Sequence, residues 1–150
     1  MTGRQMKGKL MGILMTLIML GAAAFLAFAL WVRLAPNDPA RWHVDPAAAP
    51  DPTTPNFARR SLQSPLPPED LRARLDAIAQ ADGAELLAED DASVTWVART
   101  RLMGYPDFVS VRLDPAEGGG TQLTALSRSR FGQSDMGVNA ARLERWLRDL

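Results

Sequence analysis

Val94-Thr95-Trp96-Val97-Ala98-Arg99-Thr100-Arg101-Leu102 decides the fold of the C-terminal half. In an extended chain successive side chains point to opposite faces, so Val94, Trp96, Ala98 and Leu102 share one side and Thr95, Arg99 and Arg101 the other. That alternation predicts a half-buried strand. Working outward, Ala84–Glu89 reads as a short strand closed by an acidic turn at Asp90-Asp91. Phe108–Leu113 reads as a third strand and Thr121–Arg130 as a fourth, on either side of the turn Asp114-Pro115-Ala116-Glu117-Gly118-Gly119-Gly120. A helix is predicted at each end of this run. Pro67-Pro68-Glu69-Asp70 carries the proline and acids of a helix start, Leu71, Leu75, Ile78 and Ala79 follow at helical spacing, and Gly83 supplies the stop. Near the end, Asn139 reads as an N-cap, with Leu143, Trp146, Leu147 and Leu150 as one apolar stripe. Helix, four strands and helix with short connections predict an α+β domain over 69–150. Its small antiparallel four-stranded sheet carries both helices on one face, with Trp96 and Trp146 as core anchors.

Upstream the chain changes character twice. Nine of the 11 prolines lie between Pro36 and Pro68, and each removes a backbone donor. Residues 34–68 are therefore expected to form an extended, semi-rigid spacer, with Trp42, Val44, Phe57 and Leu62 too apolar for a pure tether. His43 in this tract reads as a satisfied side chain, because no second metal ligand accompanies it. Before the spacer, 20 of the 23 residues from Leu10 to Val32 are apolar and none is charged. As a helix that run would span about 34 Å, enough to cross a bilayer core. The expectation is a transmembrane helix over 10–33 behind a basic segment 1–9. Arg4, Lys7 and Lys9 would stay in the cytoplasm, and the C-terminal domain would lie on the far side. The competing reading is a cleaved signal peptide at Ala27-Phe28-Ala29, weakened by the length of the run.

Composition narrows the chemistry. The 17 basic and 17 acidic side chains cancel, but residues 34–150 hold 13 arginines against 17 acids, which argues against a nucleic-acid binder. With no cysteine and one histidine, thiolate and multi-histidine metal sites, disulfides and cysteine nucleophiles are excluded. No cofactor is implied.

One segment stands apart: Ser127-Arg128-Ser129-Arg130-Phe131-Gly132-Gln133-Ser134-Asp135-Met136-Gly137-Val138-Asn139. It resembles the signature of the family called domain of unknown function 1499, roughly R-S-x-S-R-x-G-x-S-D-x-G-x-N followed by a basic helix. Ser127, Ser129, Arg130, Gly132, Ser134, Asp135, Gly137 and Asn139 fall on that pattern, while Leu126 stands where the family usually has an arginine. The resemblance covers about residues 55–150. It implies bacterial and plastid relatives, often membrane-tethered, without an assigned reaction.

Read from the residues, the segment is a strand-to-helix loop held by its own Asx and Ser side chains. The functional alternative is a small anionic or lipid ligand at the 128–139 loop, bound by Arg128, Arg130, Ser134, Asp135 and Asn139 with the help of a helix N-terminus. A hydrolase built on Ser134 and Asp135 is the weakest reading, since the only histidine is remote in sequence. The first expectation is thus a non-enzymatic protein of the bacterial inner membrane with a periplasmic domain. It would bind a protein partner, as an accessory or assembly factor of an envelope complex.

Overall fold

The computed structural model describes residues 3–101, 103–148 and 150. The chain divides into two units, one ending at Ala35 and one running from Pro36 to Leu150. The first is a single helix, α1 (Gly3–Leu34). Its stretch Gln5–Leu34, in which an 18-residue window reaches a mean hydropathy of 2.5, is long and apolar enough to cross a membrane. Thr16 is accommodated in the apolar run because its hydroxyl donates back to the Gly12 carbonyl at 3.0 Å.

The second unit is built on an antiparallel sheet of five strands rather than four. In chain order it contains α2 (Pro39–Trp42), β1 (Phe57–Ser64), α3 (Pro68–Ala81), β2 (Glu85–Glu89), β3 (Ser93–Arg99), β4 (Pro106–Pro115), β5 (Thr121–Ser129) and α4 (Val138–Leu147). Across the sheet the order is β1-β5-β4-β3-β2, a meander from β2 to β5 with β1 added on the far edge. The extra strand comes from the segment expected to be spacer. Between Pro55 and Pro65 no proline interrupts the chain, and Phe57 to Ser64 pair in unbroken register with Arg128 to Thr121. Strand ends also move: β3 stops at Arg99, and β4 starts at Pro106 instead of Phe108 and runs on through Asp114 to Pro115. Leu102, expected on the core side of β3, lies outside the described residues.

One face of the sheet meets the helices. Val94, Trp96, Val109, Val111, Leu123, Ala125 and Ala58 pack against Leu71, Leu75 and Ala79 of α3 and against Leu143 and Trp146 of α4. Trp96 and Trp146 meet edge to face, with ring centroids 5.8 Å apart. Each indole N–H is satisfied by an aspartate, Trp96 by Asp76 and Trp146 by Asp82.

The opposite face is also covered, which alternation alone did not predict. From Pro36 to Asp51 the chain forms a strap across it. The Trp42 ring stacks on Phe108 with centroids 4.3 Å apart and planes 7° from parallel. His43 reaches Thr95 Oγ1 at 2.9 Å and Asp90 Oδ2 at 3.0 Å. Asp45 pairs with Arg112 at 2.5 Å. Arg59 donates to the Pro46 and Ala49 carbonyls and pairs with Asp51. Residues 94–98 are consequently buried on both faces, not half-buried. The proline-rich tract is a third layer of the domain rather than a spacer.

Candidate functional site

The residues expected to form one ligand site are split by the sheet. Along β5, Leu123 and Ala125 face the helices, so Ser127 and Ser129 do too, whereas Arg128 and Arg130 point to the strap side. There the strap occupies both arginines. Arg128 Nη2 lies 3.4 Å and 3.3 Å from the Arg41 and Trp42 carbonyls, and its guanidinium sits 5.1 Å over the Trp42 ring. Burial, and then the neighbouring Arg41, shifts the Arg128 pKa downward. Arg130 Nη1 donates to the Pro36 carbonyl at 2.9 Å and to Asn37 Oδ1 at 3.1 Å. Neither guanidinium meets the helix α4 N-terminus.

On the helix side, Asp135 and Asn139 come together in reversed roles. Asn139 is not the N-cap. The cap position is Gly137 in the left-handed region (φ 81°), and Asn139 lies inside the first turn of α4, fully buried. The capping oxygens belong to Asp135: Oδ1 accepts from Gly137 N at 3.1 Å and Oδ2 from Asn139 N at 2.8 Å. Burial would raise the Asp135 pKa, but these N–H donors and the Asn139 amide outweigh it and hold the carboxyl below its usual range.

Freed from capping, the Asn139 side chain is a hub. Its Oδ1 accepts from Ser127 Oγ and from Arg142 Nη1. Its Nδ2 lies within hydrogen-bond distance of Asp135 Oδ2, Ser129 Oγ and the Asn56 carbonyl. Asn56 in turn donates to the Gly132 carbonyl at 2.8 Å, so the residue before β1 clamps the signature loop. Beneath the hub lies an ion pair. Arg142 Nη2 is 2.9 Å from Asp107 Oδ2, with the side chains only 6% and 2% exposed. None of Asn56, Asp107 and Arg142 stood out as a site residue in the sequence. Asn56 was hidden in the proline tract, and Asp107 and Arg142 entered only as parts of the family resemblance, Arg142 in the basic helix after the signature.

Above this network a cleft of about 370 Å³ opens under the 131–138 loop. Tyr105, Phe131, Met136 and Val138 form its apolar wall, and Asp107, Ser129 and Asp135 its polar floor. The Tyr105 and Phe131 rings lie 5.7 Å apart. Met136 is held at φ 51°, a left-handed conformation unusual for a residue with a Cβ, and is 96% exposed beside the cleft. Of the five expected ligand residues, Ser134 and Asp135 line the cleft, Asn139 supports it from below, and Arg128 and Arg130 lie outside it. Ser134 Oγ accepts from Met136 N at 3.3 Å, a turn bond. His43 sits on the opposite face of the sheet from this loop. Among the described residues, no group of three or more His, Asp or Glu side chains could hold a metal ion.

Comparison with known proteins gives a family and little else. The model of the family described as "Protein of unknown function (DUF1499)" matches residues 32–150. That match begins in front of the strap, whereas the sequence resemblance began near residue 55. No curated protein matches. Among solved structures, the chain is similar to a Deinococcus radiodurans protein from a structural genomics programme. The two share 17% identity over 62% of this chain and 95% of that one, with a TM-score of 0.36.

Proposed function

The chain belongs to the family of domain of unknown function 1499, and we propose that it is a membrane-anchored, non-enzymatic binding module whose small ligand enters the cleft under the 131–138 loop. The ligand class is a mainly apolar molecule that ends in a hydrogen-bond donor. The observation that carries this reading is the pairing of an aromatic and aliphatic wall with a floor of carboxylate and hydroxyl acceptors. An anionic ligand fits this cleft less well, because its lining includes the carboxylates of Asp107 and Asp135 and no arginine. The tethering of the loop supports binding as well: Asp135, Asn139 and Asn56 fasten it by their own hydrogen bonds. The non-enzymatic part rests on the separation of Ser134 from His43 by the sheet.

Native mass spectrometry of the full chain, purified from its own membrane in a neutral detergent, tests the binding role. A small-molecule adduct on the wild type that is lost from Phe131→Ala and Met136→Asp is the expected result. Identical spectra from all three proteins, or no adduct on any, contradict it.

The anchor is α1, with its N-terminus in the cytoplasm and residues 36–150 in the periplasm of a bacterial cell. The basic residues before the apolar run and their scarcity after it support this orientation. Alkaline phosphatase fused after Leu150 should be active; activity of a cytoplasmic reporter at that site instead would reverse the assignment. A second reading, an accessory or assembly factor of an envelope complex, is favoured by the exposed Met136 at the loop tip. A photo-crosslinking residue at position 136 should then trap a protein in intact cells, and no trapped band would set that reading aside.

A further inference from the structure

The floor of the loop cleft holds an acceptor and a donor side by side, and the fold uses neither. Asp107 on β4 and Ser129 on β5 are direct cross-strand partners. Arg130 N donates to the Pro106 carbonyl at 3.1 Å next to them, so the two form a pair that exchanges no backbone bonds of its own. Opposed side chains stand closest in pairs of that kind. Both residues line the cleft.

Their remaining hydrogen-bond capacity is opposite in sense. Asp107 is 2% exposed, and its Oδ2 accepts from Arg142 Nη2 at 2.9 Å. Its Oδ1 meets no hydrogen-bond donor among the described residues, although the carboxylate lies on the cleft floor. A carboxylate held by a guanidinium only accepts, and an acceptor placed this deep is stabilised by a donor that enters the cleft. Ser129 is the converse. Its Oγ accepts from Asn139 Nδ2 at 2.9 Å, and its own proton reaches no acceptor among the described residues. The other acid of the floor is already occupied: Asp135 Oδ1 accepts from Gly137 N, and Oδ2 from Asn139 N and Nδ2.

We infer that the cleft selects an apolar molecule through an uncharged group that donates to Asp107 Oδ1 and accepts from the Ser129 hydroxyl, which is the chemistry of an alcohol or a primary amide. This rests on the loop cleft being the binding site and narrows the class of its ligand. The charge balance agrees with a neutral group. Arg142 offsets Asp107, and the first-turn N–H groups of α4 offset Asp135. An ammonium donates to Asp107 but has no lone pair for the Ser129 proton. A carboxylate accepts from Ser129 but sets a second anion against Asp107. The apolar body of the ligand lies against Tyr105, Phe131, Met136 and Val138.

Four probes of one shape test this: phenylpropanol, phenylpropanamide, phenylpropylammonium and phenylpropanoate at neutral pH. Each is titrated into the full chain in neutral maltoside micelles, and the amide resonances of residues 129–138 are followed by NMR, with partition into protein-free micelles subtracted. Saturable shifts with the alcohol, the amide or both, at an affinity about tenfold or more above that of the two charged probes, are the expected result. Whichever neutral probe binds tighter names the group. Ser129→Ala should reduce the preference for the neutral probe over the ammonium by about tenfold. In Asp107→Asn, Arg142 holds the amide oxygen and the NH2 turns to the cleft, so two donors face the ligand and the carboxylate should now bind better than the alcohol. If Asp107→Asn does not fold, Ser129→Ala still decides. Equal binding of all four probes, or an unchanged preference in Ser129→Ala, overturns this assignment, and the cleft reading survives if Phe131→Ala abolishes binding. No saturable shift with any probe, or full binding by Phe131→Ala, overturns both.

Discussion

The two faces of the sheet are closed by different means. The helix face is closed by large apolar side chains on two helices, with a hydrogen-bonded polar cluster around Asn139 at one end. The strap face is closed by a segment with little regular structure, held by one aromatic stack and several hydrogen bonds and ion pairs at partly exposed positions. Apolar burial scales with area and survives small displacements, whereas hydrogen bonds and partly exposed ion pairs contribute less each and depend on pH and salt. The strap face should therefore be the first to loosen. The end of the helix face, where polar residues replace apolar ones, is where the cleft opens.

The largest expected effects test the helix face. Trp146→Ala removes a buried aromatic from the junction of α4 and β3 and should cost about 3–5 kcal/mol, measured by denaturant unfolding of the full chain in detergent. Asp107→Ala should cost a similar amount, about 3–5 kcal/mol, because it leaves Arg142 charged and buried without its close partner. A change of less than about 1 kcal/mol would show that water reaches this pair. Asn139→Ala should cost about 1–3 kcal/mol, more than a surface cap, since several buried groups lose their partner together.

On the strap face the effects should be smaller. Trp42→Ala removes a half-buried ring between Phe108 and Arg128, and about 2 kcal/mol is expected. If it equals Trp146→Ala, the two faces are not different in kind. The smallest effect is electrostatic. Asp90 accepts from the Ala92 and Ser93 N–H groups and, less strongly, from His43, and its pKa falls from 3.8 to about 2. A carboxyl depressed in the folded state stabilises the fold above its ordinary pKa, and that contribution fades as pH falls toward 2. Carbon-detected titration of Asp90 should give a midpoint near 2. His43→Ala should raise it only slightly, because the backbone donors remain.

How much of this was legible depended on whether the signal was local. The strands β2 to β5 and the helices α3 and α4 carry their own periodicity, and the buried stripe of Leu71, Leu75, Leu143 and Trp146 follows from spacing alone. β1 was harder. Phe57–Ser64 is flanked by prolines on both sides, and its partner β5 lies more than fifty residues away. The strap was legible only as composition, since nothing local tells a tethered Trp42 from one stacked on Phe108. The separation of Arg128 and Arg130 from the cleft is different, because it follows from the two-residue period of β5 that was already in hand. The inversion of Asp135 and Asn139 was not readable, since both are good caps and only burial decides between them.

Hydrogen exchange across residues 36–51 in the full-length protein tests the central claim, that the proline-rich tract is a layer of the domain. The His43 and Ala49 amides bond to the Pro39 and Asp45 carbonyls at 2.9 Å and 2.8 Å. They should exchange at least about tenfold more slowly than an unstructured chain. In Trp42→Ala that protection should collapse while β3 to β5 keep theirs. Exchange of His43 and Ala49 at the unstructured rate in the wild type would contradict the account, and the tract would be a spacer after all.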